Sequence, residues 1–559
     1  MKSSKVSRRA FLKQVSAGVV AAPALSGTIG SVASSAQTAK PVESGFPGIR
    51  TDLSRKRNVL FIATDDCCTR LGVYDNPIRT PNLERLAKSS VRFNHAYCQY
   101  AWCSPSRSSL MTGLAPDTTK VYDLQTHFRE ALPEVVTLPQ AFLSNGYFTA
   151  RAGKIYHYGN PDQIGTSGLD DPPSWNQTAN PAGVDHVKEE ALLTHFTPQA
   201  SKWAKRTREG KMTAPGCGRT CWPGQGDPIG AEVPGGGGWG GSIAMHESSS
   251  NPQLHTDYLV ADAAIAMLEN RRKQPDDPWF LGVGFYKPHV PWIVPSQYFD
   301  MYPLVEIQAT PFNPDEMHIA PQWAYHTREA NYGMSTIECR QAIRAYYAAA
   351  SFMDANVGRV LDALNRLGLA ENTTIVFWAD HGWQLGEHGQ WEKQTVFEAA
   401  VHAPLLIGGA GVEAAGQACR RTVEHLDIYP TLVELCGLDG GHSDLHGKSL
   451  VPLLSNPQAN WDRPAISQIY RPPAPRGGSN TPHGGVMGYS IRTERYRYTS
   501  WKEGSEGEEL YDYHADPRET QNLAANSRMA GLKATLRSNL EAICRKRGMA
   551  NAPGLLNNS

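Results

Sequence analysis

No stretch of this chain approaches the roughly 20 unbroken apolar residues that a membrane-crossing helix needs, so the sequence predicts no stable membrane span. Nor does charge of one sign dominate: 54 Lys and Arg stand against 54 Asp and Glu in 559 residues. That balance excludes the basic surface on which nucleic-acid binding rests, and any anionic partner has to be gripped by a local cationic pocket. Cysteine is scarce, with ten in the whole chain, too few for a scaffold held by disulfides. Cys217 and Cys221 lie in a Gly/Pro-rich stretch and read equally as a local staple or as two free thiols. Without a second pair nearby they are weak grounds for zinc. No internal repeat is present.

The N-terminus carries a positive signal. Lys2 and Lys5 precede Ser7-Arg8-Arg9-Ala10-Phe11-Leu12-Lys13, a modestly apolar stretch from Val15 to Ile29 and the small-residue run Val32–Ala36. A twin arginine ahead of Phe-Leu-Lys predicts a twin-arginine signal peptide over residues 1–36, cleaved after Ala36. The chain is then a periplasmic or secreted bacterial protein with the twin-arginine translocase as a partner. The alternative is an uncleaved basic tail. The leader holds five basic residues and no acid, so the remainder is acidic by five. Residues 37–56 read as a polar linker.

From Asn58 the pattern changes. Asn58–Thr64 is a short continuous apolar run suited to a strand buried on both faces. Thr80-Pro81 reads as an N-cap with proline at the first helical position, followed by the stripe Leu83, Leu86 and Ala87. Further strand-like runs are Tyr147–Ala150, Trp279–Phe285, Thr374–Ala379 and Pro404–Gly408, with helical spacing over 258–271 and 337–367. Strands alternating with helices predict an α/β fold with a large, mostly parallel sheet flanked by helices. In such sheets ligands collect beyond the carboxyl ends of the strands. Residues 158–253, rich in Gly, Pro and Trp, read as a loop-rich insertion within a catalytic domain spanning 57–420. A smaller C-terminal α+β subdomain, 421–559, contains an expected hairpin over Gly488–Glu494 and Tyr496–Trp501.

The chemistry-bearing residues fall at the ends of these strands. Asp65 and Asp66 follow the first run, where adjacent carboxylates repel unless a cation neutralises them. Asp380-His381 repeats that placement. Three carboxylates on one sheet edge make an oxygen-rich site for a hard divalent ion, calcium rather than zinc. His381 is either a ligand or a hydrogen-bond donor to whatever binds there. Cations for an anionic ligand come from Lys154 and His157, from Lys287 and His289, and from Lys393 at the end of Gly386–Lys393. Arg107, four residues after Cys103, shares a helical face with it and can steady an oxyanion there. Cys67 and Cys68 read as packed thiols, His388 as a brace for its glycine-rich loop, and Arg471, Arg476 and His483 as solvated loop charges that can also reach an acidic ligand.

Taken together, Asn58–Asp66, Cys103-Ser-Pro105-Ser-Arg107, Gly153–His157, Lys287–Trp292, Asp380–Lys393, His425–Leu432 and Glu509–Asn522 resemble the type I sulfatases of the alkaline-phosphatase superfamily over roughly residues 57–525. Asp-His-Gly-Trp-x-Leu-Gly-Glu-His-Gly with Lys-Pro-His-x-Pro is most similar to the iduronate-2-sulfatase branch. The resemblance implies that a sulfatase-maturing enzyme oxidises Cys103 to formylglycine. One hydroxyl of its hydrate attacks sulfur and the other expels the sulfate. It implies one calcium ion held by Asp65, Asp66, Asp380, His381 and the modified Cys103. It also implies sulfate oxygens bound by Lys154, His289 and Lys393, a proton given to the leaving oxygen by His289 with Lys393, and a proton taken by His157. The implied partner is a sulfated saccharide, with a 2-O-sulfated uronic acid in a glycosaminoglycan or algal polysaccharide favoured. The competing readings are a phosphodiesterase or phosphonate monoester hydrolase of the same superfamily, and a non-catalytic binder of sulfated glycans.

Overall fold

The computed structural model describes residues 56–549 except 162, 197–242, 328, 440–443 and 472–484. The signal peptide, the linker up to Arg55, the Cys217/Cys221 pair, Arg476 and His483 lie outside the described residues. Eight strands form the main sheet: β1 (Asn58–Asp65), β2 (Ser90–Tyr97), β3 (Phe148–Gly153), β4 (Gln177–Ala179), β5 (Trp279–Pro288), β6 (Thr373–Ala379), β7 (Leu405–Gly409) and β8 (Ala418–Glu424). Their order is β8-β2-β7-β6-β1-β5-β3-β4.

All residues of β1, β5 and β6 are buried, which is why they read as continuous apolar runs. Alternate side chains of β1 feed two cores. Leu60 and Ile62 face one layer with helices Thr256–Arg272 and Thr336–Arg366, while Val59, Phe61 and Ala63 face the other with helices Cys103–Thr112, Leu138–Ser144 and Ile428–Cys436. These helices, with the short Pro81–Ala87 before them and Ala530–Lys546 after, are α1 to α7 in chain order. Phe61 packs against Phe280 and Trp378, each at 5.4 Å between ring centroids, tying the three central strands together.

The sheet is mostly parallel, as expected, and its one reversal among the described residues is β7, which runs antiparallel to both β2 and β6. Other expectations need correction. Thr80 precedes α1 but makes no side-chain cap. Its hydroxyl accepts from Val73 N instead, and the first-turn amides of Asn82 and Leu83 donate to Asp354 of α5 at 3.1 and 2.8 Å. A distant carboxylate therefore satisfies the helix N-terminus in place of a local one. The insertion supplies β4 to the main sheet and Ala244–Ser248, which pairs with Trp292–Pro295. The boundary placed after residue 420 falls inside β8, and α6 still packs in the main core.

The C-terminal sheet is β9 (Ala465–Arg471), β10 (Val486–Arg492), β11 (Tyr496–Trp501) and β12 (Glu508–Asp512), antiparallel throughout, with β10 and β11 forming the expected hairpin. Leu536 and Leu540 of α7 bury against its Ile491, Tyr498 and Leu510. Among the described residues no helix is long and apolar enough to cross a membrane.

Candidate active site

Parallel pairing of β1 with β6 sets Thr64 opposite Ala379, so Asp65-Asp66 and Asp380-His381 emerge side by side. On the other flank β5 ends just before His289, and β3 ends at Gly153 just before Lys154. Close approach here depends on glycine. A Cβ at Gly153, whose φ is +73°, would lie 2.1 Å from Gly284 O, and one at Gly284 would lie 1.9 Å from Lys154 O. Opposite these strand ends α2 begins with Cys103 as its first helical residue, and all ten residues of the helix are buried. The positive end of the helix therefore faces the carboxylates.

The side chains converge. Cys103 Sγ is 3.4 Å from His381 Nε2, 3.6 Å from Lys393 Nζ and 3.8 Å from Asp66 Oδ1. Lys393 Nζ lies 2.6 and 2.7 Å from the two oxygens of Asp66, and His289 Nε2 is 3.5 Å from the second. Lys154 Nζ donates to Asp65 Oδ2 at 2.5 Å. Oxygens of Asp65, Asp66 and Asp380 all fall within 4.8 Å of one another, as do Asp66, Cys103 and His381 ligand atoms. His381 donates Nδ1–H to Gly382 O at 2.8 Å, which leaves the Nε2 lone pair turned toward Asp66 and Cys103. Buried oxygens crowded this closely, with one imidazole lone pair among them, fit a hard divalent cation.

The electrostatics agree. Burial pushes Asp65 up, but Lys154, then His289 and Arg107, outweigh it and hold the carboxyl well below the usual range. Asp66 goes the other way: burial raises it, Lys393 only partly offsets this, and Asp65 and Asp380 push it further up. Burial, then Asp65, raises the Cys103 thiol, so this pocket does not sustain a free thiolate. Burial lowers all three histidines: His157 with help from Lys154, His289 with help from Lys393, and His381 to about 4. Among the described residues His157 Nδ1 is buried without a hydrogen-bond partner.

Arg107 is placed differently from its expected role. Its fully buried guanidinium donates to Asp380 Oδ2 at 2.9 Å and to the carbonyls of Lys154 and Ile155 at 2.8 and 3.0 Å, and it lies 3.3 Å from Asp65 Oδ1. The oxyanions it steadies are the protein's own carboxylates. Cys67 and Cys68 are packed thiols in the core. His388 stacks on Phe397 at 4.3 Å and braces its loop against Glu316. Arg471 is not a solvated loop charge, being buried at the end of β9. Tyr346 went unnoticed in the sequence: its hydroxyl donates to Asp66 O and accepts from Cys68 N, both at 2.8 Å, holding Asp66 at φ +61°. It sits within α5, one position from Tyr347 of the helical stripe, and nothing local marks it.

An α/β sheet whose strand ends gather carboxylates, lysines and histidines around a residue at a helix N-terminus defines a hydrolase for esters of a tetrahedral oxyanion. The chain belongs to the sulfatase family, whose profile matches residues 57–438, and it is a sulfuric ester hydrolase. Residues 386–546 also match the C-terminal region of N-sulphoglucosamine sulphohydrolase. Iduronate 2-sulfatase of Mus musculus is 32% identical over 86% of this chain and 93% of that protein. A sulfatase of Formosa agariphila is 33% identical over 86% of each. Choline-sulfatase of Rhizobium meliloti is 29% identical over 86% of this chain and 85% of its own length. Among solved structures, the phosphonate monoester hydrolase of Agrobacterium radiobacter aligns with a TM-score of 0.67 at 22% identity, covering 88% of this chain and 96% of that one. A putative sulfatase from Bacteroides thetaiotaomicron gives 0.61 at 21%, covering 89% and 94%.

Proposed function

We propose that this sulfatase hydrolyses sulfate esters of saccharides through Cys103 oxidised to formylglycine, with a 2-O-sulfated uronic acid as the favoured substrate and Asp65, Asp66, Asp380 and His381 holding one calcium ion. The observation that carries the reading is the meeting of Cys103 Sγ with His381, Lys393 and Asp66 inside 4 Å, beside three buried carboxylates of which Asp66 is raised by burial and by its acidic neighbours. The aldehyde hydrate supplies what a thiol cannot: one hydroxyl to attack sulfur and a second to expel the sulfate. A divalent ion held by Asp65, Asp66, Asp380 and His381 would supply Lewis-acid polarisation of the sulfate oxygens.

The chain's own residues do the rest. Lys393 and His289, at the accessible end, bind sulfate oxygens and offset the charge that grows as the S–O bond stretches. Lys154, bonded to Asp65, adds its charge from beneath. Lys393, whose ammonium Asp66 sustains against burial, carries a proton at neutral pH, while His289 is held neutral. Lys393 supplies the proton for the departing sugar oxygen, and His289, whose Nδ1–H is held by Val290 O, takes it on Nε2 and passes it on. His157, neutral and with Nδ1 unpartnered, accepts the proton that frees the sulfate. The uronic-acid preference rests on likeness to relatives named iduronate 2-sulfatase. Twin-arginine export to the periplasm or medium, after maturation in the cytosol, rests on the N-terminal motif.

The test is sulfate release by purified mature protein from aryl sulfate and from defined sulfated disaccharides, with aryl phosphate and aryl phosphonate in parallel. Peptide mass spectrometry at Cys103 should show CH2–SH replaced by CHO. Cys103→Ala should lose about 10^4-fold or more. Faster turnover of the phosphonate than of every sulfate ester would replace this reading by the phosphonate monoester hydrolase one.

A further inference from the structure

Among the described residues, Arg471 is a buried cation without an ion-pair partner. Its Nε donates to Trp323 O at 2.9 Å and one Nη2–H to Ala324 O at 3.4 Å. Among the described residues no carboxylate lies within 4.0 Å of it, and its remaining N–H groups, including both on Nη1, have no hydrogen-bond partner. The other deeply buried arginines differ. Arg107 lies against Asp380 and Asp65, and Arg497 against Glu398 and Glu519. Burying a guanidinium on carbonyls alone is costly. In keeping with this, burial pulls Arg471 down to about 10, whereas carboxylates raise Arg107 and Arg497.

The groups facing Arg471 do not supply the missing charge. Glu509 gives its oxygens to Trp501 Nε1 and the Tyr511 hydroxyl, each at 2.7 Å. Tyr332 turns its hydroxyl to Trp391 O at 3.0 Å and Glu392 Oε2 at 3.2 Å. Tyr100 accepts from Tyr470 N at 3.0 Å.

The segment whose carbonyls hold Arg471 is tied to the segment that carries Lys393. Tyr100 stands three residues before Cys103, and Gln394 N donates to Ala101 O at 3.0 Å. Two residues beyond Ala324, His326 N donates to Gln390 Oε1 at 2.8 Å, inside the segment that carries Lys393. Burial, then the charges of Arg471 and Lys393, hold His326 at about 3, which puts the imidazole within the field of both cations.

We propose that Arg471 is a specificity residue whose free guanidinium edge receives a carboxylate on the saccharide that presents its sulfate ester to Cys103. The two carbonyls occupy the Nε/Nη2 side of the plane, leaving the Nη1/Nη2 end, a planar fork that matches a carboxylate in two-point geometry and matches a neutral sugar hydroxyl poorly. The inference rests on the sulfatase reading and narrows its substrate class to acidic sugars.

The test compares three substrates with wild-type protein and with Arg471→Lys and Arg471→Gln: a 2-O-sulfated uronate disaccharide, its carboxyl methyl ester, and a neutral aryl sulfate. Wild type should lose about 10- to 100-fold in kcat/KM on esterification, mostly through KM. Both variants should lose a similar factor on the free acid, respond little to esterification, and turn over the aryl sulfate within about 2-fold of wild type. Aryl sulfate turnover by wild type reports on the sulfatase reading separately. A wild-type response to esterification below about 2-fold overturns the carboxylate subsite whatever the variants do. Variants that respond to esterification as strongly as wild type overturn its assignment to Arg471.

Discussion

Two adjacent aspartates divide the site into a closed half and an open half. Asp65 is fully buried with Lys154 and Arg107, both of them also inaccessible, and its charge is overcompensated. Asp66 faces Lys393 and His289, each 7% exposed, and is crowded by Asp65 and Asp380 so that one ammonium does not suffice. The same residue type, one position apart on one strand end, is thus a permanent structural anion in one case and an anion awaiting a further cation in the other. Proximity to charge does not by itself tell a ligand from a strut; the local charge balance does.

The largest expected effect falls on the closed half. Arg107→Gln takes the buried guanidinium from Asp380 and leaves Asp65 with Lys154 alone, and should cost about 3–5 kcal/mol, read from the denaturant midpoint. A loss below about 1 kcal/mol would mean that the two halves do not differ in kind. Next, Lys393→Ala should lower kcat by about 10^2–10^3-fold with little change in unfolding midpoint. Lys154→Ala should instead lower the midpoint as well, because it strips a buried carboxylate of its partner. Identical profiles for the two lysines would erase the distinction.

The smallest effect comes from removing the proposed divalent ion. At ion concentrations near 100 times Kd, chelation should lower stability by about 2.7 kcal/mol, seen as a fall in Tm. The sign of its pH dependence follows from Asp66. A carboxyl raised in the folded state adds stability when protonated and loses it as pH rises through its folded value. The chelated protein should therefore suffer most at neutral pH and recover part of the loss as pH falls toward the ordinary carboxylate range. A Tm indifferent to chelation at every pH would remove the ion from the site.

Much of this was legible in the sequence, for a physical reason. β1, β5 and β6 are buried on both faces, and a strand that must be apolar on both faces announces itself. Their ends carry Asp65, Asp66, His289, Asp380 and His381, so finding the strands also found the residues that converge in the candidate site. β2 and β8 stayed hidden because Arg92, Asn94 and His95 in one, and Arg420 and Arg421 in the other, interrupt the apolar run where the sheet nears its edge. The reversal of β7 had no local signal, since Leu405-Leu-Ile-Gly has the composition of a parallel strand and only its pairing fixes its direction. Arg107, Tyr346 and Arg471 share one difficulty: partners far away in sequence decide whether each is strut, brace or bait.

The burial of α2 fixes an order of events in the life of the chain. Cys103 is 1% exposed and opens a helix without a single surface residue. A second enzyme has no path to its sulfur once the chain has collapsed around it. The oxidation proposed for this residue therefore belongs to the nascent or unfolded polypeptide, and a molecule that folds too early would remain permanently inert.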